Sequence, residues 1–220
     1  MDAHQDRLRN PLGLDEACEN CPDLAAARER VVHGYGLVDA DFLVVGSAPT
    51  AGAERTGVPF TGDERGRALQ GVLGELGLSA SPPDAAEPAL ENTYLTYLAR
   101  CRHPERPATE GEVRTCDPYL TAEVRMINPE VLLAVGERAL RRLALEHTTR
   151  DADALDVASE HANEIRGRGI DLVATLDPAD WTDGRREALL DALGTLLDRD
   201  YRQTKGRRGE ATRNRTGDAE

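Results

Sequence analysis

Lysine is nearly missing from this chain: it occurs once, at Lys205, so 26 of the 27 basic residues are arginine. Aromatic residues are also scarce, at 4%. No apolar run reaches 18 residues, and no charged-then-apolar stretch opens the chain. A membrane span and a signal peptide are therefore not expected, and the chain reads as a soluble, cytoplasmic, monomeric protein. Basic charge is outweighed as well, because 27 Lys+Arg against 40 Asp+Glu leave a net charge of −13. An acidic surface almost without lysine fits a protein that stays soluble at high salt. At low salt such a charge would argue against a nucleic-acid partner, since phosphate binding leans on basic side chains. In molar salt counterion release contributes little and charge is screened within a few ångström, so net charge does not decide the partner.

Only four cysteines are present, in two groups: Cys18 and Cys21 near the start, Cys101 and Cys116 in mid-chain. Cys18 and Cys21 frame two residues, and 79 residues then separate them from the second group. Four thiolates suit a tetrahedral zinc or a cubane iron–sulfur cluster, provided the fold brings the groups together. Two disulfides are the structural alternative, weakened by the tight first spacing and the absence of secretory features.

The rest of the chain alternates two periodicities. Buried strands are predicted over 41–46, 93–99, 131–135 and 170–176, each a short apolar run. Helices are predicted over 23–32, 65–76, 110–126, 137–145 and 182–197, and residues 47–63 read as a polar loop rich in Gly, Pro and Thr. Such alternation implies an α/β layered domain with a mostly parallel sheet, and ligands of such sheets sit beyond the strands' carboxyl ends. The domain is expected to span 1–201. Residues 202–220, whose only apolar side chains are two alanines, are expected to form a disordered polar tail.

The stretch GSAPTAGAERTGVPFTGD at 46–63, the segment ARCRHPERPATEGEVRTCDPYL at 99–120 and the Cys18-Glu-Asn-Cys21 group occur in one order. Together they resemble the iron–sulfur uracil-DNA glycosylases. The first motif is closest to the family 5 branch, and the cysteine arrangement is shared with family 4. The resemblance implies a three-layer αβα sandwich around a central four-stranded, mostly parallel sheet. It also implies a [4Fe–4S] cluster on Cys18, Cys21, Cys101 and Cys116, with zinc as the alternative, and DNA containing a damaged base as partner.

Cleaving an N-glycosidic bond places positive charge on the sugar and negative charge on the departing base, so a carboxylate and hydrogen-bond donors are needed. By resemblance Asp63 is the carboxylate, although Asp at that position is also a common helix N-cap. Gly46, Ser47 and Ala48 would contact the base and water through their backbone. Phe60 would stack on the flipped base. Arg55 and Arg65 read either as phosphate contacts or as partners of surface carboxylates. Two positions depart from the family pattern: Tyr97 replaces an asparagine that reads the base edge, and Asp177 replaces a histidine that donates to the base carbonyl. Asp177 must then be protonated, paired with an arginine, or turned away. The leading reading is a DNA repair glycosylase acting on a deaminated base. The alternatives are a catalytically weak or inactive paralogue that binds DNA or damaged bases on the same scaffold, and a nucleotide-handling enzyme with a zinc site.

Overall fold

A computed structural model describes residues 7–199. The expected tail at 202–220 lies outside the described residues. In chain order the elements are α1 (Pro22–Ala27), β1 (Tyr35–Gly36), β2 (Phe42–Gly46), α2 (Ala51–Thr56), α3 (Glu64–Glu75), β3 (Thr93–Tyr97), α4 (Glu110–Ile127), β4 (Val131–Val135), α5 (Glu137–His147), β5 (Glu164–Ile165), β6 (Asp171–Thr175) and α6 (Asp183–Leu197). They form one sheet ordered β1-β3-β2-β4-β6-β5. Strands β3, β2, β4 and β6 are parallel, as the apolar runs imply. The sheet has six strands rather than four, because β1 and β5 pair antiparallel at its edges. Each edge strand is two residues long, too short to leave a periodic signature.

Side-chain alternation along the strands divides the core into two layers. Leu43 and Val45 join Leu132 and Ala134 beneath Leu120 of α4 and Leu140 of α5. Phe42 and Val44 join Leu133 and Val173 beneath Leu69 of α3 and Leu193 of α6. Helices therefore cover both faces, which is the expected three-layer α/β arrangement. The chain passes from β2 to β3 on one side and later to β4 on the other. The carboxyl end of β2 is thus the switch point where a crevice opens.

Two local expectations are corrected. The helix predicted over 23–32 stops at Ala27, and Arg28 is already extended at φ −74° and ψ 153°. Tertiary hydrogen bonds win there: Glu29 N–H donates to Glu54 Oε1 at 2.9 Å, and Val32 N–H donates to the Arg100 carbonyl at 2.8 Å. The predicted loop at 47–63 contains α2, capped by the Thr50 hydroxyl, which accepts from Ala53 N–H. Only Ala53 is both apolar and buried in α2, so no helical stripe marks it.

A buried ion pair lies inside the fold. Arg100, just before Cys101, is 1% exposed and donates to Glu123 of α4 at 2.5 Å. Thr96 and Tyr94 of β3 also donate to that carboxylate, at 2.8 and 3.2 Å. The network ties the central sheet to α4 and to the segment carrying Cys101. No helix among the described residues is long and apolar enough to cross a membrane.

Candidate active site and cysteine site

The carboxyl ends of β2, β3, β4 and β6 open into a cleft of about 890 Å³. Gly46, Ser47, Ala48, Phe60, Asp63, Tyr97 and Asp177 all line it, so the structure brings the catalytic and base-contacting candidates to one place. Gly46 ends β2, and a Cβ there would lie 2.7 Å from Phe60 Cζ and 2.9 Å from Tyr97 Cδ1. Only glycine lets both rings close over the strand end. The carbonyls of Gly46 and Ser47 accept from Leu98 and Ala99 at 2.8 and 3.0 Å. The N–H groups of Ser47 and Ala48 take no partner among the described residues, which leaves them as donors for a ligand.

Phe60 adopts φ 56°, a left-handed conformation costly for a residue with a side chain. Its N–H donates to Tyr97 Oη at 2.8 Å, and its carbonyl accepts from Gln70 Nε2 at 3.4 Å. The two rings lie 4.8 Å apart at 40°. Tyr97 is almost wholly buried, and burial pushes its phenol far above the usual range, so it stays neutral. Tyr97 thus supports the Phe60 backbone with its phenol oxygen.

Asp63 caps α3, its Oδ1 accepting from Gly66 N–H at 2.9 Å. Its Oδ2 accepts from the Thr50 hydroxyl, the same group that caps α2. Helix α2 comes close because Gly52 has no side chain: a Cβ there would meet the Gly62 carbonyl carbon at 2.6 Å. The capping expectation for Asp63 is met, and it does not preclude another contact. A carboxylate offers about four lone-pair sites, and two are taken.

Asp177 begins a short turn after β6, where its Oδ1 accepts from Ala179 N–H at 3.0 Å. Its Oδ2 accepts from Arg65 Nη1 at 3.3 Å, so of the three options the structure takes the arginine pair. Arg55 instead braces the preceding turn, donating to the Gly62 carbonyl at 2.7 Å. His161 precedes β6 in the chain. Its Nδ1 accepts from Leu176 N–H at 3.2 Å, fixing the strand end that presents Asp177. Thr50 and Arg102, which pairs with Glu54 at 3.4 Å, also line the cleft and were not anticipated. A capping signal before Ala51 would have found Thr50; Arg102 carried no distinguishing signal.

The four cysteines are unpaired, so the disulfide alternative does not hold. Cys18, Cys101 and Cys116 are buried and Cys21 is half-buried. Burial raises the Cys21 and Cys116 thiols and pushes Cys101 up to about 11. The early and late groups come together: Cys21 and Cys101 each sense the charge of both Cys18 and Cys116. Arg28 Nη1 donates to Cys101 Sγ at 3.4 Å, and Thr115, Tyr119 and the Arg100 backbone lie beside Cys21, Cys18 and Cys116 respectively. Among the described residues, no group of three or more His, Cys, Asp or Glu is arranged to hold a single metal ion.

A family model for the uracil DNA glycosylase superfamily matches residues 33–188. The chain belongs to the uracil-DNA glycosylase superfamily. The match contains every cleft residue named above, together with Cys101 and Cys116, whereas Cys18 and Cys21 precede it. A type-5 uracil-DNA glycosylase of Thermus thermophilus is 38% identical over 149 residues, covering 59% of this chain and 66% of that protein. A type-5 uracil-DNA glycosylase of Pyrobaculum aerophilum is 28% identical over 203 residues, covering 83% and 87%. A type-4 uracil-DNA glycosylase of the same organism is 30% identical over 169 residues, covering 76% and 80%.

Proposed function

We propose that this chain is a DNA repair glycosylase that hydrolyses the N-glycosidic bond of a deaminated base, uracil or a related lesion. The observation that carries the reading is the meeting of Asp63, Phe60 and the unpartnered Ser47 and Ala48 N–H groups on one cleft. A base taken from the duplex would lie against the Phe60 ring, held by stacking. The Ser47 and Ala48 N–H groups would hydrogen-bond the base or the attacking water. Asp63 would orient that water and balance the positive charge that grows on the sugar. Its position is fixed in advance by Gly66 N–H and Thr50, so it need not reorganise as the bond breaks.

Cys18, Cys21, Cys101 and Cys116 form a donor set that fits a [4Fe–4S] cluster: four unpaired thiols drawn together, each beside a hydrogen-bond donor. Bound there, the cluster would serve as a structural pin between the amino-terminal segment and the loop after β3. Iron and inorganic sulfide in the purified protein, without stoichiometric zinc, is the expected analysis.

A second reading is favoured by two observations. Tyr97 turns its hydroxyl to a backbone N–H, and a carboxylate stands where a donor to the base is needed. On this reading the chain binds DNA or damaged bases without releasing them. Purified protein with its metal content intact would be incubated at high salt with duplexes containing uracil, hypoxanthine or xanthine. Abasic sites are expected from at least one duplex, and binding without abasic sites would establish the second reading.

A further inference from the structure

A base leaving its sugar carries off the electron pair of the C–N bond, and its negative charge spreads to its carbonyl oxygens. Five carboxylates line the cleft, Asp63, Glu64, Glu105, Glu137 and Asp177, and Asp63 and Asp177, the two at the motif positions, would oppose that charge if uncompensated. Tyr97, which senses the charge of both, is too deeply buried to ionise. A cation or strong donor is therefore required on the same wall.

Arg65 stands on the first turn of α3, two residues after Asp63, and lines the cleft. Its Nη1 donates to Asp177 Oδ2 across the mouth, joining elements 112 residues apart in sequence. That bond engages one of five guanidinium N–H donors, and no other partner for the Arg65 side chain occurs among the described residues. Two other arginines of the cleft are more fully engaged. Arg106 holds Glu112 through two bonds of 2.8 Å, and Arg138 donates to the Ala108 carbonyl at 2.6 Å and pairs with Glu110 at 3.0 Å. Arg102 makes a single bond, as Arg65 does, but to Glu54, an almost completely buried carboxylate that it would leave uncompensated on turning to a ligand. Of the histidines, His103 lines the cleft from the loop after β3, its Nδ1 accepting from Glu105 N–H at 3.2 Å, and His161, beside the end of β6, has both ring nitrogens occupied, by Leu176 N–H and by the Arg185 carbonyl. With side chains 53% and 39% exposed, the Arg65–Asp177 pair contributes little to stability, about 1 kcal/mol at most. Its arrangement makes more sense as a device for placing charge.

We propose that Arg65 is the donor that stabilises the departing base anion, and that Asp177 is the positioning residue that holds the guanidinium at the cleft mouth. This rests on the glycosylase reading. The C–N bond breaks with its electron pair going to the base nitrogen, and water forms the new bond to the sugar carbon while Asp63 takes its proton. Arg65 donates hydrogen bonds to the base carbonyl and keeps its own protons; the base anion is protonated later by solvent. The carboxylate at 177 thus recruits a permanent cation in place of a neutral donor.

The test measures single-turnover base release by the full-length, metal-containing protein on whichever lesion duplex it cleaves fastest, alongside affinity for an uncleavable duplex. Arg65→Ala is expected to lower the rate about a hundredfold while changing affinity less than about threefold. A phosphate contact would do the reverse. Arg65→Lys is expected to recover part of the rate, and Asp177→Asn to lower it less than Arg65→Ala does. Arg65→His supplies a signature that a structural role would not: release should be fast below about pH 6.5 and fall above it, as the imidazolium loses its proton. An Arg65→Ala rate within about threefold of the unsubstituted protein overturns this proposal alone. Absence of base release from the unsubstituted protein on every duplex overturns the glycosylase reading and this proposal with it.

Discussion

Phe60 and Tyr97 show how much of the cleft depends on single hydrogen bonds. The left-handed backbone at Phe60 persists because its N–H meets the Tyr97 oxygen and its carbonyl meets Gln70. Tyr97→Phe keeps the ring and removes that acceptor, leaving a buried N–H unpaired. The expected cost is about 1–3 kcal/mol of stability, read from denaturant unfolding, together with slower base release as the platform loosens. The sequence motif made Phe60, Asp63 and the Gly46 turn legible because they fall within 18 consecutive residues. Tyr97 was legible as a departure from a pattern, but its partner was not: nothing in the chain announces that a phenol will cap a strained backbone 37 residues earlier. The Arg65–Asp177 pair was hidden for the same reason, being made only when α3 packs beside the loop after β6.

At the scale of elements, α2 and the turn ahead of α3 form a single unit. Thr50 caps one helix and braces the cap of the other, and Gly52 lets the two approach. Gly52→Ala would drive its Cβ into the Gly62 backbone, which has no flexible end to yield. The expected outcome is a displaced Asp63, with base release falling at least about tenfold while iron content stays unchanged. Elements whose apolar runs are long and continuous, β2 and β4 above all, could be read directly from sequence. Those set by tertiary bonds could not. Helix α1 ends early because Glu29 and Val32 bond elsewhere, and β1 and β5 exist only as partners of longer strands.

Across the whole molecule, the docking of the amino-terminal segment gives a pH dependence with a definite sign. His33 is buried, its Nε2 bonded to the Asp15 carbonyl at 2.8 Å and its Nδ1 without a partner. Burial lowers it from 6.5 to about 4, so the folded state takes up a proton less readily than the unfolded chain. Stability from this group is fully present above about pH 6.5 and is lost as pH falls toward about 4, by about 3 kcal/mol in all. Thermal unfolding followed across that range should show the loss, and His33→Leu should flatten it. The same segment carries Cys18 and Cys21 to the later cysteines, so its docking bears on the cysteine site as well.

The central claim is that a carboxylate held at the head of α3 drives the release of a base. Single-turnover abasic-site formation by the Asp63→Asn protein measures it most directly, because asparagine is an equally good helix cap and leaves the fold in place. The account predicts a fall of about a hundredfold or more against the unsubstituted protein, with duplex binding retained. Equal rates for the two proteins would contradict it.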